Sequence, residues 1–521
     1  MGVATRFART PSAFDATMLT VWAIALAKLV LHTYFNDSYG FFRDEFDYLS
    51  CGEHFDWGYV DQPPLVPWLT ELSRLVFGES LRAVRFIPAL ASSLLVVQTA
   101  FIARQLGARG FGVLLAAVCV ALAPQYLSNA SLLGTNSLEP TLWMGCAYFA
   151  IRAVKQDDPR QWLWFGIVAG IGLEEKYTIA LFGAGIVIGL LLTAQRRHIA
   201  SRWFWFGGIA ALLIFLPNLW WNYTNDWPFL QLMRAIRDEG RDVVLPFGAY
   251  FFQQTLLTGL IAALIWLAGL AALLFAKRFA PLRFLGWSYL VCFGVLFAIH
   301  GKNYYLASIY PMLFAAGGAW LESVLENPQR RLRWVEAPLI VLMTLNGLYF
   351  APIVVPVFSP ENFMTYTQYL PFKLPVMEHS HERAALPQWY ADQFGWKEIS
   401  DATVQAWNLL PESERADCAI FGQDYGQAGA VDFFGRREGL PPALSGDRSY
   451  FLWGPRNYSG DCMIVLDDRK EVLENYWTDV QQVATSAPNR WALEVEVPVY
   501  ICRHKKFASL AEVWPKIRHW R

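Results

Sequence analysis

The chain has 521 residues, of which 55% are apolar and only 17% are charged, and its mean hydropathy is +0.27. The formal net charge is −1, and no basic patch of the kind that binds nucleic acid stands out. A soluble enzyme of this length is also excluded, because about 20 mostly apolar residues cross a bilayer and such stretches recur from Met18 to Val357.

Apolar windows predict about eleven transmembrane helices in the first two thirds of the chain. The windows are 18–35, 84–102, 111–127, 132–151, 162–173, 177–192, 203–221, 247–275, 282–299, 304–320 and 335–357. The first is too long for the apolar part of a secretory signal, and no small-residue cleavage site follows it. We therefore expect it to be an uncleaved span.

Basic residues predict how these helices face, because Lys and Arg accumulate in the short loops that stay in the cytoplasm. With the N-terminus inside, every inner segment is basic. These residues are Arg6 and Arg9; Arg104 and Arg109; Arg152, Lys155 and Arg160; Arg196, Arg197 and Arg202; Lys277, Arg278 and Arg283; and Arg330, Arg331 and Arg333. The pattern predicts a protein integral to the cytoplasmic (inner) membrane, with a cytoplasmic N-terminus and an extracytoplasmic C-terminal region.

Polar residues collect on the predicted outer face. The long first outer loop, residues 36–83, mixes acidic and aromatic residues with a Pro-Pro pair. Ionisable residues at the ends of spans are energetically costly, so they are candidates for function. Those on this face, with their polar neighbours, are Asp44, Glu45, Asp61, Gln62, Arg85, Glu139, Lys176, His300, Lys302, Tyr304 and Tyr305.

Carboxylates that face basic residues at one membrane surface suit a transfer from a lipid phosphate. A carboxylate takes the proton of an attacking hydroxyl, while Lys, Arg and Tyr stabilise the phosphate as it gains charge. A lipid-linked donor suits an outer site, where no nucleotides are supplied. The alternative for the same residues is that the carboxylates are merely solvated and the lysines anchor the span ends.

Short motifs follow one another in a fixed order between residues 41 and 321. They are Asp44-Glu45, Asp61-Gln62-Pro63-Pro64-Leu65 with Trp68, Arg85-Phe86-Ile87-Pro88, 136–143, Lys176-Tyr177-Thr178, Asn225-Asp226-Trp227-Pro228 and 301–311. Together they resemble the bacterial branch of the dolichyl-phosphate-mannose protein mannosyltransferase family, glycosyltransferase family 39. Residues 425–430 and 449–455 are similar to the tails of bacterial members with a soluble C-terminal domain.

The resemblance implies a GT-C fold and an inverting glycosyltransferase that moves a sugar from a polyprenyl-phosphate carrier to a hydroxyl acceptor, a protein or an envelope lipid or glycan. It implies that Asp44 is the general base and that Glu45 helps to bind acceptor or donor. Related lipid A aminoarabinose transferases have a lysine where this chain has Gln62. We therefore expect the phosphate contact from Lys302, Lys176 and Arg85, and aminoarabinose is disfavoured as the sugar.

Residues 378–521 are predicted to form a soluble extracytoplasmic α/β domain after a membrane domain of residues 1–377. A helix is expected near 398–410, with strands at 418–421, 462–466 and 497–502. Cys418, Cys462 and Cys502 each lie in one of these strands, and an oxidising compartment would allow one pair to form a disulfide. We expect this domain to act as a lid or as a platform for the acceptor.

Two other classes of protein remain as alternatives. A secondary transporter with a charged outer vestibule would show internal repeats and midplane polar residues, whereas no repeat is found and the charges sit at one surface. A membrane receptor leaves the outer carboxylates unexplained. No Cys or His spacing predicts a metal site, although paired carboxylates allow a divalent cation. The expected partners are the lipid-linked donor, membrane lipids and the acceptor, without nucleic acid.

Overall fold

The computed structural model describes residues 15–240, 244–326, 332–374 and 384–520. Its first part is helical. The helices are α1 (Ala16–Phe35), α2 (Arg43–Glu53), α3 (Leu65–Phe77), α4 (Leu81–Val84), α5 (Phe86–Gln105), α6 (Phe111–Leu122), α7 (Pro124–Ser131), α8 (Thr135–Lys155), α9 (Gln161–Leu173), α10 (Ile179–Leu191), α11 (Arg202–Thr224), α12 (Pro228–Asp238), α13 (Phe247–Thr258), α14 (Leu260–Phe275), α15 (Arg283–Ala298), α16 (Tyr310–Leu325), α17 (Glu336–Phe350) and α18 (Pro360–Thr367).

Every predicted apolar window coincides with a helix or a bent pair of helices, so the helical polytopic membrane fold is confirmed. Among the described residues, five helices are long and apolar enough to cross a membrane, or eight if each bent pair is one span. The windows 132–151, 162–173 and 304–320 form helices that are too short or too polar for that criterion. The number of eleven spans therefore stays a prediction.

Two predicted spans are bent inside their windows: α6 and α7 of the window 111–127 meet at 54°, and the window 247–275 is bent more sharply. The window 247–275 divides into α13 and α14, which meet at an angle of 109°. The turn lies at Gly259, whose φ of 89° is accessible to glycine but strained for most other residues. The hydropathy of the window does not reveal this bend, because both halves are apolar.

Some predictions fall outside the described residues. Arg6, Arg9, Arg330 and Arg331 lie there, and so does the predicted domain boundary between 377 and 378. The direction in which the helices face, like the domain boundary, stays a prediction.

The C-terminal part contains a mixed four-stranded sheet with the order β1-β2-β4-β3. Its elements are α19 (Gln388–Ala391), α20 (Trp396–Asn408), α21 (Glu412–Arg415), β1 (Cys418–Phe421), α22 (Tyr425–Ala430), α23 (Arg448–Trp453), β2 (Cys462–Leu466), α24 (Lys470–Leu473), β3 (Trp477–Thr485), β4 (Pro498–Lys505) and α25 (Leu510–Val513). Strands β1 and β2 run parallel, and β4 is antiparallel to both β2 and β3. A disulfide joins Cys418 of β1 to Cys462 of β2, while Cys502 is buried and unpaired.

The C-terminal part shares an apolar core with the first outer loop. Phe46 and Leu49 of α2 belong to the same buried cluster as Trp396, Tyr425 and Ile464 of the C-terminal part. Since burial of apolar surface is the main favourable term in folding, the loop and the C-terminal part stabilise each other.

Two glycines let α22 approach α2 closely. A Cβ at Gly429 would lie 2.6 Å from Cβ of Phe46, and a Cβ at Gly426 would lie 2.6 Å from Cγ of Arg43. Real side chains do not approach so closely, so a larger residue at either position would push the two helices apart. The tail motif at 425–430 is thus a contact surface for the outer loop.

We expect Gly429→Val to weaken this contact by about 1–3 kcal/mol, the usual range for overpacking a filled core. The thermal midpoint of the purified protein in detergent measures the effect. Gly208→Val is the matched control, because a Cβ at Gly208 meets no described residue within 4 Å. Equal midpoints for the two variants would contradict the close contact.

Candidate active site

The site is built on the first turn of α2, which begins in the outer loop. The carboxylate of Glu45 accepts a hydrogen bond from the backbone N–H of Phe42 at 2.8 Å and so caps the helix. Asp44 and Glu45 both lie in this first turn, where the helix dipole favours negative charge. Adjacent residues of a helix point about 100° apart, so the two carboxylates face different surroundings.

Glu45 forms a fully buried ion pair with Arg85. Nε and Nη2 of Arg85 donate to the two carboxylate oxygens at 2.7 and 2.8 Å, and both side chains are 0% exposed. Arg85 also donates to the carbonyl oxygens of Asn36 and Gly40 and to Oε1 of Gln393. Glu45 accepts one further bond, from the N–H of Leu133 at 2.9 Å. The pair thus connects the outer loop to the membrane helices and to the C-terminal part.

Asp44 points the other way and remains half-buried. Its Oδ1 accepts a hydrogen bond from the hydroxyl of Tyr425, which lies in α22 of the C-terminal part. The guanidinium groups of Arg448 and Arg43 lie 4.0 and 5.7 Å from the centre of the Tyr425 ring. The tyrosine therefore has two cations near its ring, and its hydroxyl fixes the direction of the Asp44 carboxylate.

Two more carboxylates lie beside Asp44. Asp61 pairs with Arg448 at 2.6 Å, and Asp47 accepts a bond from Nε2 of Gln62 at 3.0 Å. Burial, followed by the charge of Asp61, raises the pKa of Asp47. Burial also raises the pKa of Asp61, with Asp44 adding to the effect and Arg448 opposing it. Arg448 adopts a φ of 43°, an uncommon value for a non-glycine residue and one that often accompanies a functional site.

A second cluster surrounds Lys176, in the turn between α9 and α10. Its ammonium group lies 3.3 Å from Oε2 of Glu139 and also donates to Oδ1 of Asn136. Thr178 donates to the other oxygen of Glu139. Burial lowers the pKa of Lys176, but Glu139 and the nearby tyrosines outweigh that effect, so its pKa is raised. Lys176 therefore stays charged in a largely buried position.

Aromatic residues before α16 complete this cluster. The ammonium group of Lys176 lies 4.3 Å from the centre of the Tyr305 ring, and the rings of Tyr304 and Tyr305 are 5.0 Å apart. Lys302 lies 5.9 Å from the centre of the Tyr304 ring. His300 is exposed at the end of α15, with a φ of 55°.

Two contacts join the clusters around Asp44 and Lys176. The hydroxyl of Tyr48, one turn after Asp44, accepts a bond from the N–H of Thr135 at the start of α8. The N–H of Leu65 donates to the carbonyl oxygen of Glu174 at 2.8 Å. The segment that contains Asp61 and Gln62 is thus attached to the turn that contains Lys176.

The structure separates the predicted site residues into three groups. The first group is the carboxylate cluster and contains Asp44, Asp61 and Gln62. The second group contains Glu139, Lys176, Lys302, Tyr304 and Tyr305. The third group is the buried pair of Glu45 and Arg85. His300 belongs to none of these three groups and is exposed at the end of α15. The sequence analysis did not assign Tyr425 or Arg448 to the site. Tyr425 is the first residue of the tail motif at 425–430, and Arg448 directly precedes the motif at 449–455.

No group of three or more His, Cys, Asp or Glu within the described residues is arranged to hold a metal ion. The divalent cation that paired carboxylates would allow therefore has no supporting geometry in this part of the chain.

Comparison with known proteins supports the resemblance seen in the motifs. A family model described as dolichyl-phosphate-mannose-protein mannosyltransferase matches residues 61–221. The lipid A galacturonosyltransferase RgtD of Rhizobium johnstonii is 26% identical over 219 residues, which are 40% of this chain and 44% of that protein. The undecaprenyl phosphate-alpha-4-amino-4-deoxy-L-arabinose arabinosyl transferase of Aeromonas salmonicida is 26% identical over 322 residues, 56% of this chain and 54% of that one. The chain thus spans about half the length of these two relatives.

The similarity to solved structures extends over nearly the whole chain. The crystal structure of ArnT from Cupriavidus metallidurans bound to undecaprenyl phosphate covers 95% of this chain and 99% of its own, with a TM-score of 0.61 and 17% identity. The oligosaccharyltransferase of Archaeoglobus fulgidus matches with a TM-score of 0.53 and 14% identity over 86% of this chain and 68% of its own. The GT-C fold and the family resemblance are both confirmed.

We expect Arg85→Met to destabilise the protein by about 3–5 kcal/mol, because it leaves the charge of Glu45 buried and unpaired. Thermal unfolding in detergent measures the loss. Arg82→Met is the control, since its ion pair with Asp37 is 52% and 39% exposed and such pairs contribute about 0–1 kcal/mol. Similar midpoints for the two variants would show that the buried pair does not hold the loop in place.

Proposed function

We propose that this protein is a membrane glycosyltransferase that moves a sugar from undecaprenyl phosphate to a hydroxyl group of an envelope lipid. One observation carries the proposal: the half-buried carboxylate of Asp44 and the charged Lys176 belong to two clusters that the Tyr48–Thr135 and Leu65–Glu174 contacts join. A general base and a phosphate-binding cation are the two groups that such a transfer needs. The family resemblance over residues 61–221 supports the same reaction class.

Asp44 is the proposed general base. The acceptor hydroxyl gives its proton to Oδ2 of the Asp44 carboxylate as its own oxygen attacks the anomeric carbon, while the bond from that carbon to the phosphate oxygen breaks. Attack opposite to the leaving phosphate inverts the configuration at the anomeric carbon. Tyr425 donates to Oδ1 and so leaves Oδ2 directed for proton transfer.

Lys176 is the proposed contact for the leaving phosphate, with Lys302, Tyr304 and Tyr305 beside it. The phosphate gains charge as the bond to the sugar breaks, and cations and hydroxyl groups that are already in place stabilise that charge. Glu139 keeps Lys176 charged before the donor arrives.

We propose positioning roles for Glu45 and Arg85 rather than contact with substrate. Both are fully buried and bonded to each other, so neither presents a free group to a ligand. Gln62 is also buried, and it holds Asp47. The phosphate contact therefore falls to Lys176 and Lys302.

The donor and acceptor follow from the relatives. One relative is named for lipid A and the other for a sugar on undecaprenyl phosphate, and one solved structure of this fold contains undecaprenyl phosphate. We propose the same carrier and a lipid A type of acceptor. An extracytoplasmic site is supported by the basic inner segments and by the Cys418–Cys462 disulfide, which an oxidising compartment favours.

We expect Asp44→Asn to lower the turnover number by about 10²–10⁴-fold, the usual contribution of a general base. The assay is transfer of radiolabelled sugar from a panel of undecaprenyl-phosphate sugars to lipid A by the purified protein in lipid. Asp37→Asn is the control, because Asp37 is 39% exposed and pairs with Arg82. Full activity of Asp44→Asn would reject this base. No turnover by the intact chain, with substrate flux in sealed vesicles, would favour a transporter.

We expect Lys176→Met to weaken binding of undecaprenyl phosphate by about 10–100-fold, because a charged hydrogen bond contributes about 1.5–3 kcal/mol. Binding to protein in lipid nanodiscs measures this change. Lys397→Met is the control, since Lys397 is 66% exposed and pairs with Asp401. Unchanged affinity in Lys176→Met would place the phosphate elsewhere.

A further inference from the structure

A cavity of about 200 Å³ lies between the start of α2 and the C-terminal part. It is lined by Arg43, Ala391, Asp392, Phe394, Trp396, Ile399, Leu493 and Glu494. Pockets for drug-sized ligands are about 300–1,000 Å³, so this cavity suits a smaller group. Phe394, Leu493 and Glu494 are only partly buried, which leaves the cavity open to solvent on one side.

The side chain of Arg43 brings a hydrogen-bond donor without a described partner to this cavity. Nε of Arg43 is buried and has no hydrogen-bond partner among the described residues. Its Nη2 lies 3.9 Å from Oδ2 of Asp392, beyond hydrogen-bond distance. Oε2 of Glu494 accepts a bond from Gln427 at 3.2 Å. A donor on one wall and carboxylates on the other match the hydroxyl groups of a polyol.

The charges around the cavity disfavour an anionic ligand. Asp392 and Glu494 line it, and Arg43 is the single cation among the lining residues that the structure describes. Asp424 and Asp467 lie close enough to Glu494 to raise its pKa, after burial, to about 8. At neutral pH Glu494 is therefore mostly protonated, and the negative charge around Arg43 and Glu494 comes from Asp392, Asp424 and Asp467. A phosphate or a uronate would meet this negative charge, whereas a neutral or amino-bearing group would not.

The apolar wall completes the match. Trp396 and Phe394 offer aromatic surface beside Ile399 and Leu493. A pyranose ring has one face of C–H groups and an edge of hydroxyl groups, so it fits a site with one apolar wall and a few polar groups.

This cavity shares a wall with the proposed catalytic base. Arg43 lines the cavity and also lies against Tyr425, whose hydroxyl bonds to Asp44. We propose that the cavity formed by Arg43, Asp392, Trp396 and Glu494 binds an uncharged or amino-bearing sugar ring of the acceptor. The inference rests on the proposed function, and it assigns to the C-terminal part the task of holding the acceptor.

Saturation-transfer NMR on the full chain in lipid nanodiscs tests the site, with glucose, glucosamine, N-acetylglucosamine and glucose 1-phosphate as probes. We expect the three sugars without phosphate to bind and glucose 1-phosphate to bind at least tenfold more weakly. Leu493→Trp, which fills the cavity, abolishes this binding. Glu496→Trp is the matched control, since this exposed residue is three positions away and does not line the cavity.

Three results would overturn the inference: no binding of any probe, binding that survives in Leu493→Trp, or a preference for glucose 1-phosphate. Undecaprenyl phosphate binding in the same nanodiscs separates this inference from the proposed function. If undecaprenyl phosphate binds but the sugar probes do not, only the cavity proposal is rejected. If the sugar probes bind but undecaprenyl phosphate neither binds nor supports transfer, the proposed reaction is rejected. If both stand, Leu493→Trp raises KM for the acceptor at least tenfold with little change in kcat.

Discussion

The buried ion pair between Glu45 and Arg85 determines the position of the outer loop. Removing two charges from water is costly, and the cost is offset only when every donor and acceptor has a partner. Here the partners come from the end of α1, from the loop before α2, from the start of α8 and from Gln393 of the C-terminal part. These elements therefore have to meet in one arrangement, and that arrangement directs Asp44 away from the interior.

The C-terminal part is a component of the site and not only an attachment to it. It shares an apolar core with α2, and Gly429 lets α22 lie directly against Phe46. That close approach brings Tyr425 to Asp44 and Arg448 to Asp61. The proposed base, the residue that directs it and the proposed acceptor cavity thus depend on a single helix contact.

Lys176 shows how a buried cation is maintained near a membrane. Burial alone would favour the neutral amine, but Glu139 at 3.3 Å reverses that preference. Tyr305 presents its ring face to the same ammonium group, and a ring face attracts a cation. The lysine is therefore charged and oriented before any ligand binds, so it needs little rearrangement for the phosphate contact that we propose.

The sequence by itself determined the helical membrane fold, since a run of apolar residues long enough to cross a bilayer is a local property. It also predicted one outer face for Asp44, Asp61, Lys176 and Lys302, because these residues lie in the outer loop or at span ends opposite the basic segments. Strand β3 gave no such signal, since most of its residues are polar or partly exposed, and the bend at Gly259 lies inside an apolar window.

Tertiary structure alone decided which residues are partners. Asp44 and Glu45 are neighbours in the chain, yet one faces the site and the other is paired with Arg85, because successive side chains of a helix diverge. Tyr425 reaches Asp44 from 381 positions away, and a contact over that distance leaves no periodic pattern in the sequence. The packing of the C-terminal part on the outer loop brings such residues together.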